Sequence, residues 1–190
     1  MPQIQKQMSI STGDIDRTDA HLLSLLQENA RTSQHDLARA VGLSAPAVAD
    51  RLRKLEERGV IREFTAVVDP RAVGYDITVF IGVGMTGSRH YGHFRGRIGE
   101  IPEIQECHAV TGEASHLLKA RLENTAALES LLAEIQGWPG VQWTTTSIVL
   151  STVKETSALP ISASSEPTDV EAAVAAGTAE FLRVPFRHHH

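Results

Sequence analysis

Five cationic side chains are concentrated in one short stretch of the sequence. Within twelve residues, against Glu56 and Glu57, stand Arg51, Arg53, Lys54, Arg58 and Arg62. Cations at this density can neutralise phosphate groups, and that contact dominates the affinity of proteins for nucleic acids. The whole chain has a formal net charge of -5, so such binding must come from this local surface rather than from the overall charge.

The cationic stretch lies on the third of three predicted helices. Asp16 caps a first helix over about 17–29, Ser33 caps a short second helix, and Ser44 caps a third that runs to about residue 58. The second helix ends at Gly42, which readily adopts a left-handed turn, and Leu43 is expected to be buried behind it. Two short helices joined by such a turn are typical of the helix-turn-helix motif.

The two faces of the third helix predict different roles. Val48, Leu52 and Leu55 recur at helical spacing and should face the other helices. The opposite face then offers small residues in its first turn and cations further along, as suits a helix entering a major groove about 12 Å wide. The candidate base-edge contacts are Pro46, Ala47, Asp50 and Lys54, and the candidate phosphate contacts are Ser44, Arg51 and Arg53.

Two alternatives remain open for this helix. Most charged helix faces are simply solvated, and the face of this helix considered alone fits that description as well as it fits DNA binding. Asp50 repels phosphate and so favours a motif that has lost DNA binding, although an acidic side chain can also accept a hydrogen bond from a cytosine amino group.

The second half of the chain alternates strand and helix patterns. Strands are predicted over 77–85, 104–110, 116–122 and 141–153, with one helix after the first strand and another capped by Asn124. This order predicts a ferredoxin-like βαββαβ domain, whose antiparallel sheet carries both helices on one face. The other face would expose apolar residues such as Val149 and Val153, so we expect a second copy to cover it and the protein to be at least a dimer.

The fold class is therefore α+β, with five segments. These are a flexible leader (1–13), a helix-turn-helix domain (14–62), a strand and linker (63–75), the ferredoxin-like domain (76–154) and an extension (155–190). The extension has a possible helix over 169–182 and ends in three histidines typical of a purification tag. One cysteine, no signal peptide and no apolar run of about 20 residues predict a cytoplasmic protein without membrane contact.

Catalytic and metal-binding patterns are missing from the sequence. It has no phosphate-binding loop, no nucleophile-elbow serine and no zinc-type histidine pair, so we expect neither an enzyme nor a bound metal or cofactor. Cys107, His108 and His116 are a candidate set of metal ligands. Neighbouring strand residues point to opposite faces, so Cys107 and His108 cannot easily share one ion.

Over roughly residues 15–154, the sequence resembles the leucine-responsive and asparagine-response (Lrp/AsnC) family of transcription regulators. The resemblance rests on the order of short stretches, among them IDRTD (15–19), VGLS (41–44), GVI (59–61), IQECH (104–108), VTG (110–112) and PGV (139–141). It implies a winged helix-turn-helix domain that binds palindromic promoter DNA. It also implies dimers that assemble further, often into octamers, and a response to an amino acid held by the second domain.

The resemblance also implies where the effector binds. Carried over, the effector-binding residues are Thr111, Gly112, Glu113, Ala114, Ser115, His116 and Ser147. Many family members have Asp-Tyr in place of Ser115-His116 and an aromatic in place of Ser147. Losing a carboxylate and two aromatics predicts a changed effector, bulkier than leucine, or none. The alternatives for the site are that Gly112 is a plain turn glycine and that Glu113 is solvated. The alternative for the function is a ligand-binding or assembly protein that no longer binds DNA.

Overall fold

The computed structural model describes residues 15–162, which form two compact units. The first unit combines residues 15–64 with residues 157–162, and the second is Thr65–Thr156. The predicted leader, the possible helix over 169–182 and the terminal histidines lie outside the described residues.

Three helices build the first unit, namely α1 (Arg17–Glu28), α2 (Gln34–Val41) and α3 (Ala45–Glu57). Each begins at its predicted cap, because Asp16, Ser33 and Ser44 each accept a hydrogen bond from the backbone amide three residues later. Gly42 ends α2 with φ at +71°, the left-handed conformation that a helix-turn-helix turn needs and that glycine adopts without steric penalty.

The core of the first unit lies between the three helices. The buried residues shared by this core are Leu22, Leu23, Leu37, Ala38, Val48, Leu52 and Leu55, which confirms the predicted inward face of α3. The prediction for Leu43 was wrong, since 37% of this residue is exposed. It follows the turn glycine directly and is not part of the buried cluster that the helices form.

A segment from beyond the second unit completes the first. Ile161 packs against the three-helix core, and the Gln27 side chain makes two hydrogen bonds with the backbone of Leu159. Gln27 Nε2 donates to the Leu159 carbonyl at 3.0 Å, and the Leu159 amide donates to Gln27 Oε1 at 2.7 Å. Residues 157–162 of the extension are therefore a part of the helix-turn-helix unit.

The strand predicted within 63–75 does not form in the single chain. This segment contains one short 3-10 turn, Arg71–Val73, and no ladder among the described residues includes it. A strand needs a neighbour for its backbone hydrogen bonds. Phe64, Val67 and Val68 are all exposed here, so the strand-like composition of the segment did not by itself produce a strand.

The second unit has the predicted βαββαβ order. Its strands are β1 (Ile77–Met85), β2 (Ile104–Ala109), β3 (His116–Leu122) and β4 (Val141–Ile148), and its helices are α4 (Tyr91–Ile98) and α5 (Thr125–Gln136). The strands form one sheet in the order β2–β3–β1–β4, and all three neighbouring pairs are antiparallel.

Both helices cover the same face of this sheet. Val79, Ile81 and Val83 of β1 share one buried cluster with Phe94 of α4 and Ile135 of α5, among others. The period of two along β1 puts the intervening residues on the opposite face, called here the open face. β4 ends at Ile148 rather than at the predicted residue 153, and Val153 is fully exposed beyond it, so Val153 is not part of the open face.

Candidate functional site

The exposed face of α3 carries four interlocked charges, called here the helix cluster. Its members are Asp50, Arg53, Lys54 and Glu57. Arg53 bonds Asp50 at 2.6 Å through one nitrogen and Glu57 at 2.5 Å through the other, while Lys54 bonds the second oxygen of Asp50 at 2.7 Å. Hydrogen bonds from Lys54 and then from Arg53 hold the pKa of Asp50 below its usual value, and the pKa of Arg53 is raised in turn.

Arg51, predicted as a phosphate contact, is engaged within the protein. Its Nη1 lies 2.6 Å from Asp16 Oδ2 and 2.7 Å from Asp19 Oδ1, and its side chain is 33% exposed. Burial works to raise the pKa of Asp16, but the Asp19 amide and the Arg51 guanidinium outweigh it and the pKa falls. The free protein therefore uses Arg51 to hold the start of α1 against α3.

The remaining predicted DNA-binding residues lie where the sequence places them. Ser44 and Pro46 are exposed at the start of α3, and the Ser44 hydroxyl caps the helix by accepting from the Ala47 amide at 3.4 Å. Ala47 lines an open cleft together with Asp50, Lys54 and Arg58. Small side chains thus stand at the N-terminal end of α3, and the charges follow towards its C-terminal end.

The predicted effector loop closes one end of the sheet, between β2 and β3. Thr111, Gly112 and Glu113 are exposed, and Gly112 has a positive φ. Ser115 anchors the loop to β1, because its amide donates to the Val83 carbonyl at 2.9 Å and its hydroxyl accepts from the Met85 amide at 3.2 Å. Exposed backbone at the tip of an anchored loop is a geometry that can receive a small polar ligand.

His116 and Ser147 lie on opposite faces of the sheet. His116 is 1% exposed, and its ring centroid lies 4.8 Å from that of Tyr91 and 4.8 Å from that of Phe94. Burial, followed by the charge of Arg95, lowers the pKa of His116. Ser147 pairs with Phe80 and is exposed on the open face. A single chain does not bring Ser147 to the loop, and His116 supports the loop from within the core.

The open face is apolar at one end. Trp143 lies flat over Gly84, where an added Cβ would stand 2.1 Å from the indole ring, so a side chain at that position would displace the tryptophan. On the open face, Phe80, Leu117 and Trp143 are each between 36% and 38% exposed, and Phe80 lies beside Lys119. These residues, rather than Val153, form the apolar surface that a second copy was predicted to cover.

The other end of the open face is charged, and its four residues are called here the sheet cluster. Its members are Glu106, Lys119, Arg121 and Glu155. Glu155 lies 2.5 Å from Lys119 Nζ and 2.9 Å from Arg121 Nη2, and Glu106 lies 3.2 Å from Lys119. The two cationic side chains are only 14–15% exposed. Hydrogen bonds from Lys119 first and Arg121 second lower the pKa of Glu155.

Neither a metal site nor a membrane span is found in the part of the chain that the structure describes. No group of three metal-ligating side chains occurs among residues 15–162, and none of the helices there is both long and apolar enough to cross a bilayer. Cys107 packs against the core, and burial raises the pKa of its thiol. His108 is exposed and bonds Glu106 at 3.2 Å.

Sequence reasoning missed the contacts that span long separations. Asp16 was read only as a helix cap, although it and Asp19 both bind Arg51. The spacing of three and four residues along α3 could have revealed the helix cluster, since Asp50, Arg53 and Glu57 fit it. No local signal connects Gln27 with Leu159 or Lys119 with Glu155.

Both units match described protein families. Residues 15–62 match the family described as winged helix-turn-helix DNA-binding, and residues 78–159 match the Lrp/AsnC ligand binding domain. The HTH-type transcriptional regulator FL11 of Pyrococcus horikoshii is 36% identical over 147 residues, which are 77% of this chain and 97% of that protein. The leucine-responsive regulatory protein of Escherichia coli is 34% identical over 151 residues, which are 78% and 92% of the two chains.

Solved structures of transcriptional regulators have a fold similar to that of this chain. A transcriptional regulator from Neisseria meningitidis in complex with L-methionine superposes with a TM-score of 0.72 at 33% identity, covering 76% of this chain and 96% of that chain. A feast or famine regulatory protein from M. tuberculosis, also complexed with L-methionine, gives a TM-score of 0.71 at 32% identity and covers 76% and 98%.

Proposed function

Because the chain belongs to the Lrp/AsnC family of DNA-binding transcriptional regulators, which are not enzymes, we propose that it binds promoter DNA through α3 and that an amino acid controls this binding. The proposal rests on the exposed face of α3. This face has small residues at its N-terminal end and two cations further along, and the opposite face packs against the neighbouring helices. Such a helix fits a major groove with its cations at the phosphates. The protein would act where chromosomal DNA lies, in the cytoplasm.

The roles of the α3 residues follow from their surroundings. Pro46, Ala47, Asp50 and Lys54 are proposed for base edges, and Ser44 and Arg53 for phosphates. Arg51 is proposed as a phosphate contact of second rank, because binding phosphate would compete with Asp16 and Asp19.

Replacing Arg53 with Ala should weaken binding to all duplexes and flatten its salt dependence. Replacing Arg51 with Ala should instead lower the unfolding temperature, and Arg53→Ala is its matched control.

The proposed effector site is the loop from Thr111 to Ser115. L-methionine is bound by two similar proteins, so it is the first effector to test on this chain. His116 would shape the loop from below, and Ser147 would join the site only in an assembly of copies. The change from Asp-Tyr to Ser115-His116 still favours an altered preference, so a panel of larger amino acids belongs in the same experiment.

A second copy is the proposed occupant of the open face. Phe80, Leu117 and Trp143 are partly exposed together, and pairing two such faces would remove an apolar patch from water. Dimers that assemble further, up to an octamer, are proposed from the family resemblance. Sedimentation of the full chain should give a dimer or a multiple of it, whereas Trp143→Arg should shift the distribution towards the monomer.

One experiment tests the proposal as a whole. Gel shifts on the promoter of the protein's own gene, at two salt concentrations and with or without L-methionine and other amino acids, should show salt-sensitive binding that one amino acid alters. The absence of any shift in every condition would favour the alternative, a ligand-binding or assembly protein that no longer binds DNA. The pairing of Arg53 and Lys54 with carboxylates is the observation that supports this alternative.

A further inference from the structure

Asp50 occupies the centre of the helix cluster. Its two oxygens are held by two different cations, Oδ1 by Arg53 at 2.6 Å and Oδ2 by Lys54 at 2.7 Å. Of the seven residues proposed to meet DNA, it is the one carboxylate. A residue that both opposes phosphate and restrains two cations proposed to contact DNA has a role distinct from that of a simple contact.

From this arrangement we infer that Asp50 determines specificity, by suppressing binding to DNA that lacks a hydrogen-bond donor for its carboxylate. The inference rests on the proposed function, because it requires that α3 enters the major groove. Asp50 would then create the preference for a target sequence by weakening the binding of α3 to all other sequences.

The charge of the helix cluster explains the suppression. Two cations and two carboxylates sum to zero, so the exposed face presents no net charge to a phosphate backbone. Exposed helical ion pairs contribute little individually, and phosphates can therefore displace them. The carboxylate of Asp50 then remains close to the DNA and opposes it. In water, one such charge at a few ångströms changes the affinity on the order of fivefold.

A target sequence removes this opposition. In the major groove, a cytosine presents an amino group that can donate to a carboxylate, whereas a guanine presents two acceptors that repel it. The side chain of Asp50 is 47% exposed, so it is accessible to such a donor. When Asp50 accepts from the base, Arg53 is released to a phosphate and Lys54 to a neighbouring base edge.

Glu57 supplies the matched control. It has the same charge and also binds Arg53, but Lys54 pairs with Asp50 instead, and Glu57 lies outside the first turns of α3. It is the last residue of the helix, about 10 Å along the axis from Asp50 by the helical rise. Neutralising Glu57 changes the total charge as much as neutralising Asp50 does, without touching the proposed base contact.

The experiment compares full-length wild type, Asp50→Asn and Glu57→Gln by fluorescence anisotropy. Each binds two labelled duplexes of equal length and composition, the promoter of the protein's own gene and a scrambled sequence, over a range of KCl. For Asp50→Asn we expect roughly fivefold tighter binding to the scrambled duplex, a steeper salt dependence and a reduced ratio of promoter to scrambled affinity. For Glu57→Gln we expect both affinities to rise together, with the ratio unchanged. Circular dichroism melts verify that both variants are folded.

The outcomes separate this inference from the proposed function. A wild-type preference for the promoter that survives Asp50→Asn overturns the inference alone. An equal fall of the ratio in both variants also overturns it, because general charge would then explain the effect. A wild-type protein without any preference contradicts sequence-specific binding itself, and leaves no specificity for Asp50 to determine.

Discussion

The helix cluster and the sheet cluster have the same composition, two cations and two carboxylates, but differ in how they are built. The helix cluster joins residues within seven positions of one another on α3, and all four side chains are 47–60% exposed. The sheet cluster joins β2, β3 and the segment after β4, and its cationic side chains are 14–15% exposed. The first can exchange its partners for a ligand, whereas the second fixes the path of the chain.

The difference follows from solvent. Water screens exposed pairs, so each contributes about 0–1 kcal/mol. A partly buried cation that loses its partner keeps its desolvation penalty. The two clusters contain equal numbers of ion pairs. The partners in the helix cluster can be replaced by a ligand, whereas the sheet cluster is a structural contact.

The largest expected effect comes from breaking the sheet cluster. Glu155→Gln leaves Lys119 with Glu106 alone and removes the one carboxylate bonded to Arg121 in the described part of the chain. We expect the free energy of unfolding to fall by about 1–3 kcal/mol. Urea unfolding followed by tryptophan fluorescence measures this in the second unit, because both tryptophans, Trp138 and Trp143, belong to it. An unchanged midpoint would contradict the structural role.

Acid should abolish the difference in stability between the wild type and Glu155→Gln. The pKa of Glu155 is lowered from 4.5 in the folded state, so its stabilisation is fully present above pH 4.5 and is lost as the pH falls through the folded pKa. Below pH 4.5, the unfolding midpoints of wild type and Glu155→Gln should therefore converge. A gap that does not narrow as the pH falls below 4.5 would mean that the variant acts through packing instead of charge.

His116 should make the second unit sensitive to pH nearer neutrality. Burial lowers the pKa of His116 below 6.5, so its contribution is complete above pH 6.5 and is lost as the pH falls towards the folded pKa. One such proton changes stability by at most about 1.4 kcal/mol per pH unit. Fluorescence-detected unfolding at pH 7.5, 6.5 and 5.5 should show this slope in wild type, and His116→Leu should flatten it. His93→Gln, an exposed change on α4, should leave it intact.

The smallest effect is expected in the helix cluster. Glu57→Gln removes a single exposed pair with Arg53 and should change the free energy of unfolding by less than about 0.5 kcal/mol. Circular dichroism melts measure it, since the first unit contains no tryptophan among its described residues. A loss as large as that of Glu155→Gln would erase the contrast between the clusters.

What could be predicted from the sequence is what local chemistry determines. Ser33, Ser44 and Asn124 each satisfy amides three residues away, so helix starts were predictable to the residue. The alternation of apolar residues with a period of two predicted β1, and the order of strands and helices predicted the antiparallel sheet. The same local rules placed Asp50 and Arg53 on the outer face of α3.

The remainder depends on partners that are distant in sequence. Arg51 reads as a phosphate ligand until Asp16 and Asp19 are placed beside it, across more than 30 residues. His116 reads as an effector-binding residue until Tyr91 and Phe94 enclose it. The strand within 63–75 failed for a related reason, because a strand's composition does not say whether another strand is available to pair with it.

The return of residues 157–162 to the helix-turn-helix unit has a consequence for biosynthesis. Domains generally fold in order as the chain leaves the ribosome, and here α1, α2 and α3 emerge first. The Leu159 backbone and the Ile161 side chain, which complete that unit, emerge only after the entire sheet domain. The segment made first is thus finished last, and a chain released before residue 157 carries a DNA-binding head that lacks its final contacts.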